Sequence, residues 1–366
     1  MKIIKTFIFP LLFLFIIFLI LELISIKLFP EYSQNQIFKT DFETEEGFSR
    51  ISKGKIQHFH YFKNLKTRSK KNSMDDVYNE NLSTIWLFGD SVTNGYGLKY
   101  TDTYFHYLEK YLNLNKKRFN VLSVSEYDNN IDNIVDTIEK NEKVFKSNDF
   151  LIFQFNYNDI LPSSINNKTT NNITRSKKGF FRKLISGFDP IRFEYLHRST
   201  FLRVLTHYAS IIKRKTSGDC KTRGIDALEQ YTFSYGSLKY SEESKTAWKL
   251  FERKILKLKE FTNKKKLKFI VLISPISLQL ENHQKLNFHN YDLSCSTIDG
   301  RKKILDILRK NEINFSDPLQ LFDETIKIDI EEGNFEPLFF EYDTNHPNSK
   351  GSLLISISLL DSILNF

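Results

Sequence analysis

The sequence predicts an α/β fold: a parallel β-sheet covered by helices on both faces, in three α/β/α layers, with an N-terminal transmembrane helix and a helical insertion. Three observations lead there. From Ser83 onward, short apolar runs of strand length alternate with longer stretches of helical periodicity. The apolar runs are nearly continuous, as expected of strands buried on both faces. The first 26 residues hold an apolar segment with a single acidic residue in it, unlike anything that follows.

The N-terminal segment sets the organisation. Lys2 and Lys5 precede an uncharged stretch, Thr6 to Leu21, that is almost entirely Phe, Leu and Ile. Glu22 interrupts it before Lys27. Thr6 to Ile26 has about the length that spans a hydrocarbon core. No Ala or Gly occurs there to form a cleavage site, which favours an uncleaved anchor over a signal peptide. Lysines ahead of the span place the N-terminus on the cytoplasmic side, with Lys27 partly offsetting that bias. The expectation is a single-pass membrane protein whose body is periplasmic or extracellular. Residues 1–28 are read as the anchor, 29–82 as a linker leading into the domain, and 83–366 as one α/β domain with an insertion at about 161–244.

Within the linker, Lys66, Arg68, Lys70 and Lys71 form a basic cluster, and His58 and His60 alternate with Phe59 and Tyr61 as in a short strand. The domain begins with a strand over 84–88. Helix 104–112, strand 119–124, helix 131–145 and strand 150–155 follow. After the insertion come helix 247–261, strand 268–274, helix 301–310, strand 313–315 and a closing helix over 349–364. The insertion starts with a polar loop, Asn166 to Asn172, and continues into a basic, aromatic stretch in which 193–213 reads as helical.

Composition narrows the partners. Lys and Arg outnumber Asp and Glu by 53 to 44, a net charge of +9 that favours anionic glycans or lipid headgroups. A nucleic-acid partner is not expected, because the basic residues are dispersed and the chain reads as exported. The two cysteines, Cys220 and Cys295, form no CxxC or Cys/His cluster, so neither a structural zinc site nor another metal is expected. Their pairing is left open. No cofactor is implied.

Three segments carry the chemistry. Phe88-Gly-Asp-Ser-Val-Thr-Asn-Gly-Tyr-Gly97 leaves a strand and enters a turn before a helix. It puts Ser91 at the carboxyl end of a parallel strand, where open α/β sheets bind ligands. Phe155-Asn-Tyr-Asn-Asp159 brings two amides and a carboxylate to the same edge, and an amide N–H can donate to a developing oxyanion. Tyr342-Asp-Thr-Asn-His-Pro-Asn348 precedes the last helix. His346 has the near-neutral titration suited to deprotonating a serine, and Asp343 is spaced to fix its tautomer. Alone, each is also an ordinary turn rich in small polar residues.

Together, Gly89-Asp90-Ser91, Asn158-Asp159 and Asp343/His346 resemble the SGNH/GDSL hydrolase family in order and approximate spacing. The resemblance covers roughly residues 83–160 and 245–366. It implies a flavodoxin-like sheet and a carboxylic-ester hydrolase with Ser91, His346 and Asp343 as catalytic residues. It also implies an oxyanion hole of the Ser91 backbone N–H and Asn158, supported by Gly89, Asp90, Asn156 and Asp159. Two departures stand out. Asn156 occupies the glycine position of the family's Gly-x-Asn-Asp, and Ser123-Val-Ser-Glu-Tyr-Asp-Asn129 lacks the family's oxyanion glycine. Glu126 and Asp128 are the candidates to supply that backbone N–H. The substrate expected from the resemblance and the exported body is an acylated small molecule or polysaccharide, with deacylation of cell-surface carbohydrate favoured. An O-acyltransferase on the same glycans and a catalytically impaired glycan-binding protein are the alternatives.

Overall fold

The computed structural model describes residues 2–28, 42–44, 47–52, 55–62, 65–69, 78–125, 129–160, 199, 201–202, 242–280, 298–340 and 345–366. Side chains are described from Phe13 onward in the first helix, and not at residues 42–44, 47–52, 55–56, 69, 158, 242–244, 278 and 298–299. The chain divides into two compact units, Met1–Ile37 with Asn171–Ile225, and Phe38–Thr170 with Asp226–Phe366.

In the first unit, helix α1 covers Lys2–Leu28 without a break. At 1.5 Å per residue its 27 residues extend about 40 Å. Phe13, Leu14, Phe15, Leu19, Ile20, Leu23 and Ile24 are exposed. The Glu22 carboxylate accepts hydrogen bonds from Ser199 Oγ at 2.6 Å and from the Phe201 N–H at 2.9 Å. The Phe18 ring meets Phe201 edge-on, 6.0 Å between centroids. Among the described residues no helix is long and apolar enough to cross a membrane; in α1 the described side chains start only at Phe13.

The second unit is built on a mixed, mostly parallel sheet. Its parallel strands are β5 (Thr84–Gly89), β6 (Asn120–Ser125), β7 (Phe150–Phe155), β8 (Lys268–Ile273) and β9 (Asn314–Ser316), each within a residue or so of the expected position. Spatially they run β6-β5-β7-β8-β9. In order of appearance that is 2-1-3-4-5, the doubly wound order of flavodoxin-like sheets. Strands β5, β6 and β7 are buried at every position, which explains the nearly continuous apolar runs of β5 and β7; β6 buries Asn120, Ser123 and Ser125 among its apolar residues.

Helices cover both faces. Ile85, Leu87, Val121, Ile152, Ile270 and Leu272 pack into one core with α3 (Tyr104–Leu114), α7 (Leu319–Glu331) and α8 (Ser349–Leu364). Successive strand residues point to opposite faces. Accordingly Trp86 and Phe88 contact Phe145, and Phe153 and Phe155 contact Phe251 of α5 (Glu242–Lys265). Helix α4 (Ile131–Lys140) runs beside α5, with Lys254 paired to Asp132 and Lys257 to Glu139. Helix α6 (Ile298–Lys310) precedes β9. Asp149 secures the start of β5 by accepting from the Thr84 N–H and the buried Trp86 indole.

Several expectations are corrected. The stretch read as a linker contributes four strands: β1 (Phe42–Thr44), β2 (Gly47–Ser52), β3 (Lys55–Phe62) and β4 (Leu65–Ser69). They pair antiparallel in succession, and β4 joins the parallel sheet through Thr67 opposite Val124 and Arg68 opposite Ser123. The sheet is therefore mixed, with nine strands among the described residues, and not wholly parallel. The short strand read from the alternation of His58 and His60 with Phe59 and Tyr61 is part of β3; the other three strands were not expected, since short polar segments carry little strand signal. Helix α7 was not expected either, because only Phe322 and Ile326 of its mixed, charged sequence are buried. The predicted helix over 131–145 ends at Lys140, and a 3₁₀ turn follows at Glu142–Val144. The expected helix over 193–213 lies, apart from residues 199, 201 and 202, outside the described residues, as do Cys220 and Cys295.

Candidate active site

Strand β5 lies between β6 and β7, so consecutive connections depart in opposite directions at its carboxyl end. This is the topological switch point, where doubly wound sheets open a crevice. Ser91 stands there as the first residue of a one-turn helix, α2 (Ser91–Asn94). Asp90 caps that helix, its carboxylate accepting from the Val92 N–H at 2.9 Å. Gly95 ends it in the left-handed region, φ 72°, its N–H turned back to the carbonyls of Ser91 and Val92.

The small residues of this turn have steric reasons. A Cβ on Gly89 would collide with Thr93 Oγ1 and Gln154 Oε1. Those two atoms are hydrogen-bonded at 2.9 Å, and Thr93 Oγ1 also meets Tyr104 OH at 2.9 Å. Ser123 Oγ of β6 donates to the Thr93 carbonyl at 2.8 Å. Burial raises the Tyr104 hydroxyl well above its ordinary pKa, so it stays neutral in this network.

His346 arrives from the opposite end of the sequence. Phe339 and Pro347 form an antiparallel bridge, and the Phe340 N–H donates to the His346 carbonyl at 3.1 Å. Asn348 caps α8 through the Gly351 N–H, its own N–H bonds Leu338 O, and its amide donates to Pro337 O at 2.5 Å. A Cβ on Gly351 would strike the Leu338 carbonyl, so the helix start and the bridge pack backbone to backbone. His346 Nε2 lies 2.8 Å from Ser91 Oγ, between residues 255 positions apart. Its ring stacks on Tyr96, centroids 4.4 Å apart at 37°.

The turn after β7 uses its polar groups inward. Asn156 Nδ2 donates to Asp90 Oδ2 at 3.1 Å, and its Oδ1 accepts from the Tyr157 N–H. Asp159 Oδ2 accepts from the Asn156 N–H at 2.6 Å. Burial, reinforced by the nearby charge of Asp90, pushes the Asp159 carboxyl well above the usual range, against the downward pull of the Asn156 N–H. Tyr157, fully buried, receives Gln279 Nε2 at 2.6 Å. Gln279 in turn accepts from Arg301, which is ion-paired with Asp317. Burial lowers the Arg301 pKa to about 10, so the guanidinium remains charged at neutral pH.

The predicted residues thus separate into three groups. Ser91 and His346 meet, and Gly89, Asp90, Asn156 and Asp159 form the framework beneath them. The side chain of Asn158, and residues Asp343, Glu126 and Asp128, lie outside what is described. Not foreseen were Gln154 and Tyr96, or the burial of Arg68. Arg68 had no signal beyond membership of a basic cluster.

A serine hydroxyl hydrogen-bonded to an imidazole at a sheet's switch point is the arrangement of nucleophilic acyl transfer. No protein-family profile matches the chain, and no curated protein sequence does. Solved structures give distant likenesses. A member of the lipolytic protein G-D-S-L family from Veillonella parvula is 13% identical, over 78% of this chain and 100% of that one, with a TM-score of 0.39. The acetyl xylan esterase AlAXEase is 12% identical, over 76% and 99%, TM-score 0.41. The psychrotrophic esterase EstA from Pseudoalteromonas is 11% identical, over 77% and 97%, TM-score 0.39. Likenesses this remote say nothing about chemistry, which rests on the site itself.

Proposed function

We propose that this chain is a serine esterase of the SGNH/GDSL type. The observation that carries the reading is the 2.8 Å approach of Ser91 Oγ to His346 Nε2 at the switch point of the sheet. Ser91 attacks an ester carbonyl while His346 takes its proton. The tetrahedral intermediate collapses to an acyl-enzyme as His346 returns the proton to the leaving alcohol. Water, deprotonated by His346, then releases the acid. Asp343 orients the imidazole. The Ser91 N–H, Asn158 Nδ2 and a backbone N–H within 125–129 hold the oxyanion.

The substrate class we favour is acylated carbohydrate at the cell surface. The net charge of +9 supports it, since a basic surface draws anionic glycans. The anchor reading belongs to the same proposal. In its support, most of the described apolar side chains of helix α1 are exposed, and the one carboxylate among them, Glu22, is satisfied by Ser199 and Phe201.

A fluorophosphonate probe tests the chemistry: it labels the wild-type chain, and neither Ser91→Ala nor His346→Ala takes up label at the wild-type rate. Absence of Ser91-dependent labelling rejects the esterase. Alkaline carbonate extraction of membranes tests the anchor, which requires the full chain to remain in the pellet.

A further inference from the structure

The turn that follows Ser91 is gripped from below by the antiparallel strands. Gln57 of β3 and Arg68 of β4 are 1% and 3% exposed. Gln57 Nε2 donates to the Gly95 carbonyl at 3.0 Å. Arg68 Nη1 donates to the carbonyls of Asn94 and Gly95, and Nη2 donates to that of Leu98 at 2.6 Å. Asn94 is the last residue of α2, so no further N–H of that helix reaches its carbonyl, and the Gly95 carbonyl also accepts from the Leu98 N–H at 3.0 Å. A planar guanidinium with its fixed fork of donors can satisfy three at once, whereas an ammonium on a flexible stem cannot hold the same geometry.

The gripped carbonyls bracket Tyr96 and Gly97. Asn94 and Gly95 precede Tyr96, and Leu98 follows it by two positions. Gly95 and Gly97 on either side have φ of 72° and 73°, conformations that a residue other than glycine adopts only with strain. A Cβ on Gly95 would press on Arg68 Nη1 and Thr103 Cγ2, so the fit leaves no slack. The Tyr96 N–H is tied to the Ser91 carbonyl at 3.0 Å, and its ring lies on His346.

We propose that Arg68 and Gln57 are positioning residues for His346, acting through Tyr96: by fixing the carbonyls around Tyr96 they fix the ring against which the imidazole stacks. The N-terminal strands are then part of the hydrolytic apparatus and not a spacer. The kinetic side of this inference rests on the esterase reading; the placement of the imidazole does not.

The test uses the full chain, with p-nitrophenyl acetate as substrate. Tyr96→Leu lowers kcat roughly ten- to hundredfold while KM stays within about twofold, because a displaced base costs turnover more than binding. Tyr96→Phe, which keeps the ring, loses at least about tenfold less than Tyr96→Leu. Gln57→Leu lowers kcat about three- to tenfold in the wild-type background and has no further effect on Tyr96→Leu. Arg68→Met has a larger effect of the same kind; should it fail to fold, Gln57→Leu, which removes one neutral donor, decides alone. In parallel, the His346 ring-proton resonance, assigned with His346→Gln, carries the ring current of Tyr96. Gln57→Leu moves it toward its position in Tyr96→Leu.

Equal losses for Tyr96→Phe and Tyr96→Leu overturn the proposal, as does an additive Gln57→Leu effect. An unmoved His346 resonance in Gln57→Leu also overturns it. A wild-type chain without Ser91-dependent turnover refutes the esterase instead, and the resonance then decides the positioning by itself.

Discussion

The turn that carries Ser91 and the loop that carries His346 approach to 2.8 Å, yet they are held by different means. The nucleophile turn is fastened by side chains from distant segments. Gln57 and Arg68 reach its carbonyls from β3 and β4, Ser123 from β6, and Gln154 and Asn156 bond Thr93 and Asp90 from β7 and its end. The described contacts of the histidine loop are mostly local: the Phe339–Pro347 bridge, the Phe340 and Leu338 backbone bonds, and the Asn348 cap. The nucleophile turn is therefore built into the core of the sheet, and perturbing it should unsettle the whole unit. The imidazole hangs on a short backbone bridge, and perturbing it should alter turnover with little effect on stability.

The contrast is sharpest at His346. His346→Ala should lower kcat by about 10⁴-fold or more while changing unfolding free energy by no more than about 0.5 kcal/mol. Ester hydrolysis and urea unfolding of the same preparation measure both, and a large loss of stability would break the contrast. Gly89→Ala should do the reverse in emphasis. The added methyl meets Thr93 and Gln154, and overpacking of that kind costs about 1–3 kcal/mol, visible as a lower urea midpoint. An unchanged midpoint would mean that the turn yields easily.

Asn348→Ala removes the cap of α8 and the amide bond to Pro337. A lost cap costs about 1 kcal/mol, and the kcat loss should exceed the loss for an equally destabilising change elsewhere, because the cap adjoins His346. The smallest effect is a pH dependence. The folded chain raises the Asp159 carboxyl above its ordinary value of 3.8. Between about pH 4 and that raised value, the folded chain holds a proton that the unfolded chain releases, so this group's contribution to stability falls as pH rises. In Asp159→Asn the urea midpoint should decline less from about pH 5 to about pH 8 than in the wild type. Parallel declines would show that Asp159 titrates normally.

What the sequence made legible follows a physical divide. Strands buried on both faces announce themselves by continuous apolar runs, and β5 to β8 were placed within a residue or so. Motifs at strand ends were legible because a tight turn tolerates few residues, as Gly89 and Gly95 illustrate. Of the antiparallel strands only the His58–Tyr61 stretch of β3 was foreseen, because the others are short segments whose polar composition looks like a linker. Yet strands β2 and β3, and again β3 and β4, are separated by only two residues, the spacing of tight hairpins. Arg68 misled for a related reason: composition reports a charge, not the carbonyls that surround it.

By itself, then, the sequence determined the order of the parallel strands and of most helices between them, the apolar N-terminal helix, and the residue types at each strand end, because hydrophobic period and turn chemistry are local properties. Only the tertiary structure decided that Ser91 and His346 share a hydrogen bond. It also decided that Asn156 faces Asp90 and that Arg68 lies beneath the nucleophile turn. Those outcomes depend on which strands become neighbours in the sheet. That choice is made by packing among residues tens to hundreds of positions apart, and no local pattern records it.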